Sequence, residues 1–297
     1  MKSHSLFARI LMATDLSAAS QVAYRVARDL AVLLNAHLLL LHVFEYAGAA
    51  SPMTGGIAEG LSAFRQSAEH ELELLLLDSA KHGLTVEGRI TDGIVSEVIL
   101  ETAGQQRIDL VVMGTRRTTG LERFLLGSTA EVVFRSSDCP VLTAGPRVLT
   151  PTGPPHTRGP IVFATDLSHM STAAVRSAAF LCERTGVPLH CLHVLPRCDL
   201  KPGDEDALRR TSAAAIGQMI HEGGFAIGDP LCAIACDDDA STGVLDYAAQ
   251  HKASLIVLGV RHASPVAAHL PGKIACQIIA GAACPVLVAT DQLRSRC

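Results

Sequence analysis

Residues Met113 to Glu131, MGTRRTTGLERFLLGSTAE, set two outer glycines, two adjacent arginines and a Ser-Thr pair between an apolar run and a segment of helical spacing. A strand that ends at a glycine, then a basic loop, then a helix start offers negative charge free backbone N–H groups, the positive end of a helix and guanidinium groups. That is the chemistry of a phosphate cradle. Its candidate members are Gly114, Arg116, Arg117, Gly127 and Ser128, with Met113 and Thr129 beside them. A plainer reading stays open, because Ser128-Thr-Ala-Glu131 also spells a capping box, in which the serine caps the helix and the glutamate reaches back. The arginines can likewise be a solvated loop.

Other chemistry-bearing residues are fewer. Asp15 closes an apolar run, where a lone aspartate ordinarily serves as a turn or cap residue, and Asp166 repeats it. His42 and His193 stand near strand ends and read as satisfied structural histidines. Asp237-Asp-Asp239 precedes a helix expected from about Ala240, which suits a cap that favours the helix dipole. Cys191 and His193, and Cys232 and Cys236, share strand faces by their spacing, but buried free cysteine is commonly plain core. No metal site is expected. The sequence contains neither Gly-x4-Gly-Lys-Ser/Thr nor Gly-x-Gly-x-x-Gly, and neither Gly-x-Ser-x-Gly nor His-Glu-x-x-His, so its spacing points to no catalytic residue.

The elements that must position these residues alternate. Strands are expected at Ala8–Thr14, His37–Phe44, Leu84–Ile90, Ile108–Met113 and Cys139–Thr143, and helices at Ala18–Leu34, Leu61–His82, Ile94–Gln105 and Ser128–Arg135. The Gly-, Ala-, Ser- and Pro-containing segment Tyr46–Gly60 reads as a loop. Such alternation builds βαβ units on a parallel sheet. After a proline-rich linker the chain begins again. Ala13-Thr-Asp-Leu-Ser17 returns as Ala164-Thr-Asp-Leu-Ser168 and Leu41-His-Val43 as Leu192-His-Val194, 151 residues on (15 to 166, 42 to 193). Gly114, Gly127 and Cys139-Pro140 return as Gly259, Gly272 and Cys284-Pro285, 145 residues on (114 to 259, 127 to 272). The shorter loop after Val194 can absorb the difference. Ordered matches of this kind mean a duplicated domain, expected at residues 1–148 and 159–297 with a linker at 149–158.

With these residues on the page the chain resembles the universal stress protein family in a tandem form. The motifs that carry the resemblance are a strand ending in Ala-Thr-Asp-Leu-Ser, a strand ending in Leu-His-Val, and Gly-(x12)-Gly-Ser followed by Cys-Pro-Val-Leu. The resemblance implies an α/β fold of two tandem doubly wound domains, each a five-stranded parallel sheet of order 3-2-1-4-5 with helices on both faces. It implies that ATP, with magnesium, binds at the carboxyl ends of strands 1 and 4, where strand order reverses. Asp15 would then contact the adenosine part, Val43 would offer backbone to the base, and Gly114, Gly127 and Ser128 would hold phosphates. It also implies that Val141-Leu142-Thr143 and Val286-Leu287-Val288 meet in an intramolecular pseudo-dimer, with room for a further homo-oligomer.

The family's motif, Gly-x2-Gly-x9-Gly-Ser/Thr, is broken here. Its middle glycine is Arg117 in the first half and His262 in the second, and Lys273 replaces the hydroxyl residue of the second. Where positive φ is needed, a side chain costs roughly 1–2 kcal/mol, and an arginine hydrogen-bonded to phosphate returns roughly 1.5–3 kcal/mol. These magnitudes balance. Two readings therefore stand: a nucleotide-binding first half beside a degenerate second, or an interaction module that works through its surface without nucleotide.

Composition narrows the partners. The formal net charge is −4 and the arginines are dispersed, unlike the basic footprint of a nucleic-acid binder. The apolar run Leu38–Phe44 is too short to span a bilayer and no signal core opens the chain. A cytoplasmic, non-enzymatic protein with reduced thiols is expected, acting on an unidentified protein partner.

Overall fold

The computed structural model describes residues 6–18, 20–45, 55–115, 127–145, 147–148, 159–166, 172–196, 204–222, 225, 227–260 and 273–290. The first half runs β1 (Arg9–Ala13), α1 (Ser20–Leu34), β2 (His37–Phe44), α2 (Gly55–Lys81), β3 (Val86–Asp92), α3 (Val95–Gln105), β4 (Leu110–Gly114), α4 (Ser128–Ser136) and β5 (Val141–Ala144). The second runs β6 (Ile161–Ala164), α5 (Thr172–Thr185), β7 (Leu189–Leu195), α6 (Asp204–Glu222), β8 (Leu231–Cys236), α7 (Ala240–Gln250), β9 (Leu255–Val260), α8 (Lys273–Gly281) and β10 (Val286–Thr290).

All eighteen elements serve one ten-stranded sheet, ordered β3-β2-β1-β4-β5-β10-β9-β6-β7-β8. Each half has the expected order 3-2-1-4-5 with parallel neighbours. The halves join through the antiparallel pair β5–β10, where Val286, Leu287 and Val288 face Thr143, Leu142 and Val141. Thr143 Oγ1 also donates to the Val286 carbonyl at 3.2 Å.

Parallel strands covered by helices on both faces must be apolar throughout, which is why β2 reads HLLLLHVF and lacks alternation. One core cluster fills the face under α1, α2, α5 and α6, and another the face under α3, α4, α7 and α8; both cross the seam between the halves. Phe7 and Phe180 meet edge to face at 5.7 Å on the first of these faces. Ala23, Ala27, Ala31 and Leu34 recur at helical spacing on α1 and are buried, so the small alanines let the helix lie close on the sheet.

The duplicated halves share backbone as well as sequence. Asn35 (φ 51°) matches Gly186 (φ 72°), and Arg107 (φ 49°) matches Lys252 (φ 51°). Each left-handed residue follows a helix and turns the chain into the next strand.

Two expectations need correction here. The segment read as a loop to Gly60 is helical from Gly55; glycine disfavours a helix by only about 1 kcal/mol, which a 27-residue helix overrides. The crossover helix α6 has 19 residues against the 27 of α2, so it is shorter by more than the whole six-residue change that the loop after Val194 was expected to absorb.

Candidate functional site

The carboxyl ends of β1, β2 and β4 and the amino ends of α3 and α4 surround a cavity of about 350 Å³. Asp15, Val43, Met113, Gly114, Gly127, Ser128 and Thr129 all line it, so the structure brings these sequence candidates together. Arg116 and Arg117 lie outside the described residues.

The β1 end is a built turn. Leu16 adopts φ 61°, left-handed for a side chain that disfavours it, which stores of the order of 1–2 kcal/mol of strain that surrounding bonds must hold. They do: Leu16 N donates to Thr14 Oγ1 at 3.0 Å, and Asp15 Oδ1 accepts from Ser17 N at 3.0 Å and Ser17 Oγ at 2.6 Å. Thr14 Oγ1 and Ser20 Oγ are 3.0 Å apart, and Ser20 Oγ donates to the Ser17 carbonyl at 2.9 Å. Asp15 is thus a turn residue and a cavity residue at once.

His42 fixes this turn from the neighbouring strand. Its Nδ1 lies 2.9 Å from the Thr14 carbonyl, which only accepts, so Nδ1 carries the proton. His193 makes the same bond to Thr165 at 2.8 Å. Both histidines therefore have the structural role expected of them.

At the opposite wall, α4 starts differently from the capping-box reading. Its N-cap is Gly127, with φ −58° and ψ 142°, and no side chain caps it. Ser128 is already helical, and the Glu131 amide bonds back to the Gly127 carbonyl at 3.0 Å. Glu131 instead accepts from Arg135 at 2.9 Å. The box fails because the helix starts one residue earlier than that motif requires, which puts Glu131 a position too far along to reach back. The consequence favours the other reading, since the first amides of α4 have no intrahelical acceptor and their residues line the cavity. Among the described residues, a Cβ built on Gly127 would meet nothing within 4 Å, and its φ is ordinary, so packing of those residues gives no reason for glycine there.

The structure adds lining residues that sequence reasoning missed: Thr14, Ser20, Glu45, Val95, Ile99 and Thr115. Thr14 and Thr115 each follow immediately after a strand, and that position at the carboxyl edge of a parallel sheet is the signal that would have found them. Both are nearly buried, with 7% and 6% exposed.

In the second half, Asp166 is exposed, and Asp239 caps α7 by accepting from Ser241 N at 3.0 Å. The hydrogen bonds from Ser241 hold the Asp239 carboxyl below the usual carboxylate range. The cap expected of Asp237–Asp239 is therefore present. Val194, which matches Val43, packs against α7 at Gly243, where a Cβ would meet Val194 Cγ1 at 2.8 Å. Residues 261–272, with His262 and Gly272, lie outside the described residues. Among the described residues, no group of three or more His, Cys, Asp or Glu side chains could hold a metal, and no helix is long and apolar enough to cross a membrane.

Comparisons with known proteins agree with this layout. Residues 6–144 and 157–290 each match the model of the universal stress protein family. A universal stress protein of Methanocaldococcus jannaschii is 32% identical over 143 residues, which cover 46% of this chain and 82% of that protein. One from Mycolicibacterium smegmatis is 30% identical over 191 residues, 62% of this chain and 63% of its own length. The crystal structure of a universal stress protein from Archaeoglobus fulgidus matches with a TM-score of 0.74 at 22% identity, over 97% of this chain and 99% of that one, a likeness of fold alone.

Proposed function

Because the chain belongs to the universal stress protein family, we propose that its first half binds an adenine nucleotide, ATP with magnesium, at the carboxyl ends of β1 and β4. The protein then acts in the cytoplasm in the response to stress, through binding and a protein partner and not through turnover. One observation carries this reading: the uncapped amino end of α4 opens on a 350 Å³ cavity at a glycine that packing of the described residues does not require. A helix start of this kind receives phosphate by its amides and its dipole.

The other walls suit the rest of such a ligand. Asp15 offers a carboxylate for ribose hydroxyls, Val43 offers backbone for the base, and Leu41, Val95 and Ile99 give apolar surface. Gly114, Ser128 and Thr129 complete the phosphate end, which Arg116 and Arg117 would close by charge.

Calorimetry with Mg-ATP on the intact chain and on Asp15→Ala tests the reading. Saturable binding that weakens strongly in the variant is expected. Binding of equal strength in both would overturn the site assignment. If the intact chain gives no heat and no thermal shift with saturating ATP, the alternative, a surface-acting interaction module, takes its place.

A further inference from the structure

We propose that Cys191 and Cys232 form a peroxide-oxidisable dithiol, a modification site in the second half that closes to a disulfide between β7 and β8. The two residues are register partners on adjacent parallel strands. Neighbouring strands lie about 4.8 Å apart, inside the Cα separations of roughly 4.4–6.8 Å that disulfides span. Both side chains belong to the same core face, Cys191 within the cluster and Cys232 packed against it. Both are free, and each is the largest influence on the ionisation of the other.

Their surroundings differ in the way that such chemistry needs. Cys191 is 1% exposed, whereas Cys232 is only half-buried and lies on β8, the last strand of the sheet. The neighbouring Cys191 thiol pulls the Cys232 thiol below its ordinary range, and Cys232 and then burial push the Cys191 thiol up. A lowered pKa and access mark the attacking sulfur. An edge strand has a neighbour on one side alone, so it can shift by the fraction of an ångström that bridging asks.

The step balances with hydrogen peroxide as the oxidant. The Cys232 thiolate attacks one peroxide oxygen, the O–O bond breaks, and with a proton the other oxygen leaves as water, giving a sulfenic acid. Cys191 sulfur then attacks the Cys232 sulfur, the S–O bond breaks, and the hydroxyl leaves as water with the Cys191 proton. Two thiols and one peroxide become one disulfide and two waters. The first half has no counterpart, since Leu40 faces Gly88 at the matching register.

The test uses the full chain treated with stoichiometric hydrogen peroxide, then digestion without reductant and mass spectrometry. A linked pair of peptides carrying Cys191 and Cys232, restored to free thiols by reductant, is expected. In Cys191→Ser, the sulfenic acid should persist and be trapped by a dione reagent at Cys232. The proposal is overturned if Cys191 links to Cys182, which also lies near it, or if Cys232 stays reduced while other thiols oxidise. The wild-type peptide map decides this even if a variant folds poorly.

Discussion

The two halves are the same fold built twice, and they differ where chemistry would occur. In the first, α3 begins at Ile94 without a side-chain cap and lines the cavity with Val95 and Ile99; in the second, the matching helix α7 is closed by the Asp239 cap and packs its backbone against Val194. Strand order and left-handed turn positions recur in both. The framework therefore depends on backbone conformation and buried area, which many residue types satisfy. A ligand site depends on unsatisfied groups left facing space, and a single cap or close approach removes them.

The largest effect should come from the seam that makes the halves one body. Leu287→Ala removes a fully buried side chain that faces Leu142, and a loss of roughly 2–5 kcal/mol is expected. Chemical denaturation checks it. One shifted transition would show that the halves unfold together, while two would break the comparison into independent domains. Next comes ligand affinity: Asp15→Ala should weaken Mg-ATP binding by about 30-fold, or ~2 kcal/mol, and Asp166→Ala should leave it unchanged. Equal effects from both would end the asymmetry.

Smaller is the expected effect at Tyr24, whose hydroxyl contacts the Leu75 carbonyl, Asp78 Oδ2 and Ser79 Oγ at 2.7–2.9 Å, where the second half has Val175. Burial pushes this phenol up to about 12, so it stays protonated at neutral pH. Tyr24→Phe should lose about 1 kcal/mol. Asp78 adds a pH signature, for although desolvation raises its pKa, Tyr24 and Arg28 together hold it below the ordinary value. A depressed carboxylate pKa stabilises the fold above the unfolded value of about 4 and is lost as pH falls through the folded one. The acid-unfolding midpoint of Tyr24→Phe should therefore move to higher pH. In stability alone, the pair of cap exchanges closes the series. Asp239→Ala should cost about 1 kcal/mol of stability, whereas Gly127→Asp should add a few tenths by capping α4 and abolish nucleotide binding. Thermal melts with and without Mg-ATP read both.

Much of this was legible in the sequence, for physical reasons. His37–Phe44 was placed to the residue because a doubly covered strand is apolar along its length. The end of an apolar run marked the turn at Asp15, and matching strand-end positions marked both structural histidines. The helix start at Ser128 was legible, but its cap was not, because Ser128 and Glu131 have capping-box spacing whichever residue is the cap, and only backbone angles tell Gly127 from Ser128 in that role. Thr14 and Thr115 escaped notice because a threonine after a strand looks ordinary until the sheet places both at one edge. The cysteines show a similar limit. Spacing paired Cys191 with His193 and Cys232 with Cys236 along single strands, whereas the contact that matters crosses strands and needs their register.

The β5–β10 pair has a further consequence. Because its strands run in opposite directions, the carboxyl ends of the two parallel sets point to opposite poles, so a ligand at one pole never touches the other. Because both strands belong to one chain, their association is unimolecular, at an effective concentration in the millimolar range that no dilution changes. The second half therefore stays docked at any expression level, whether or not it holds a ligand of its own.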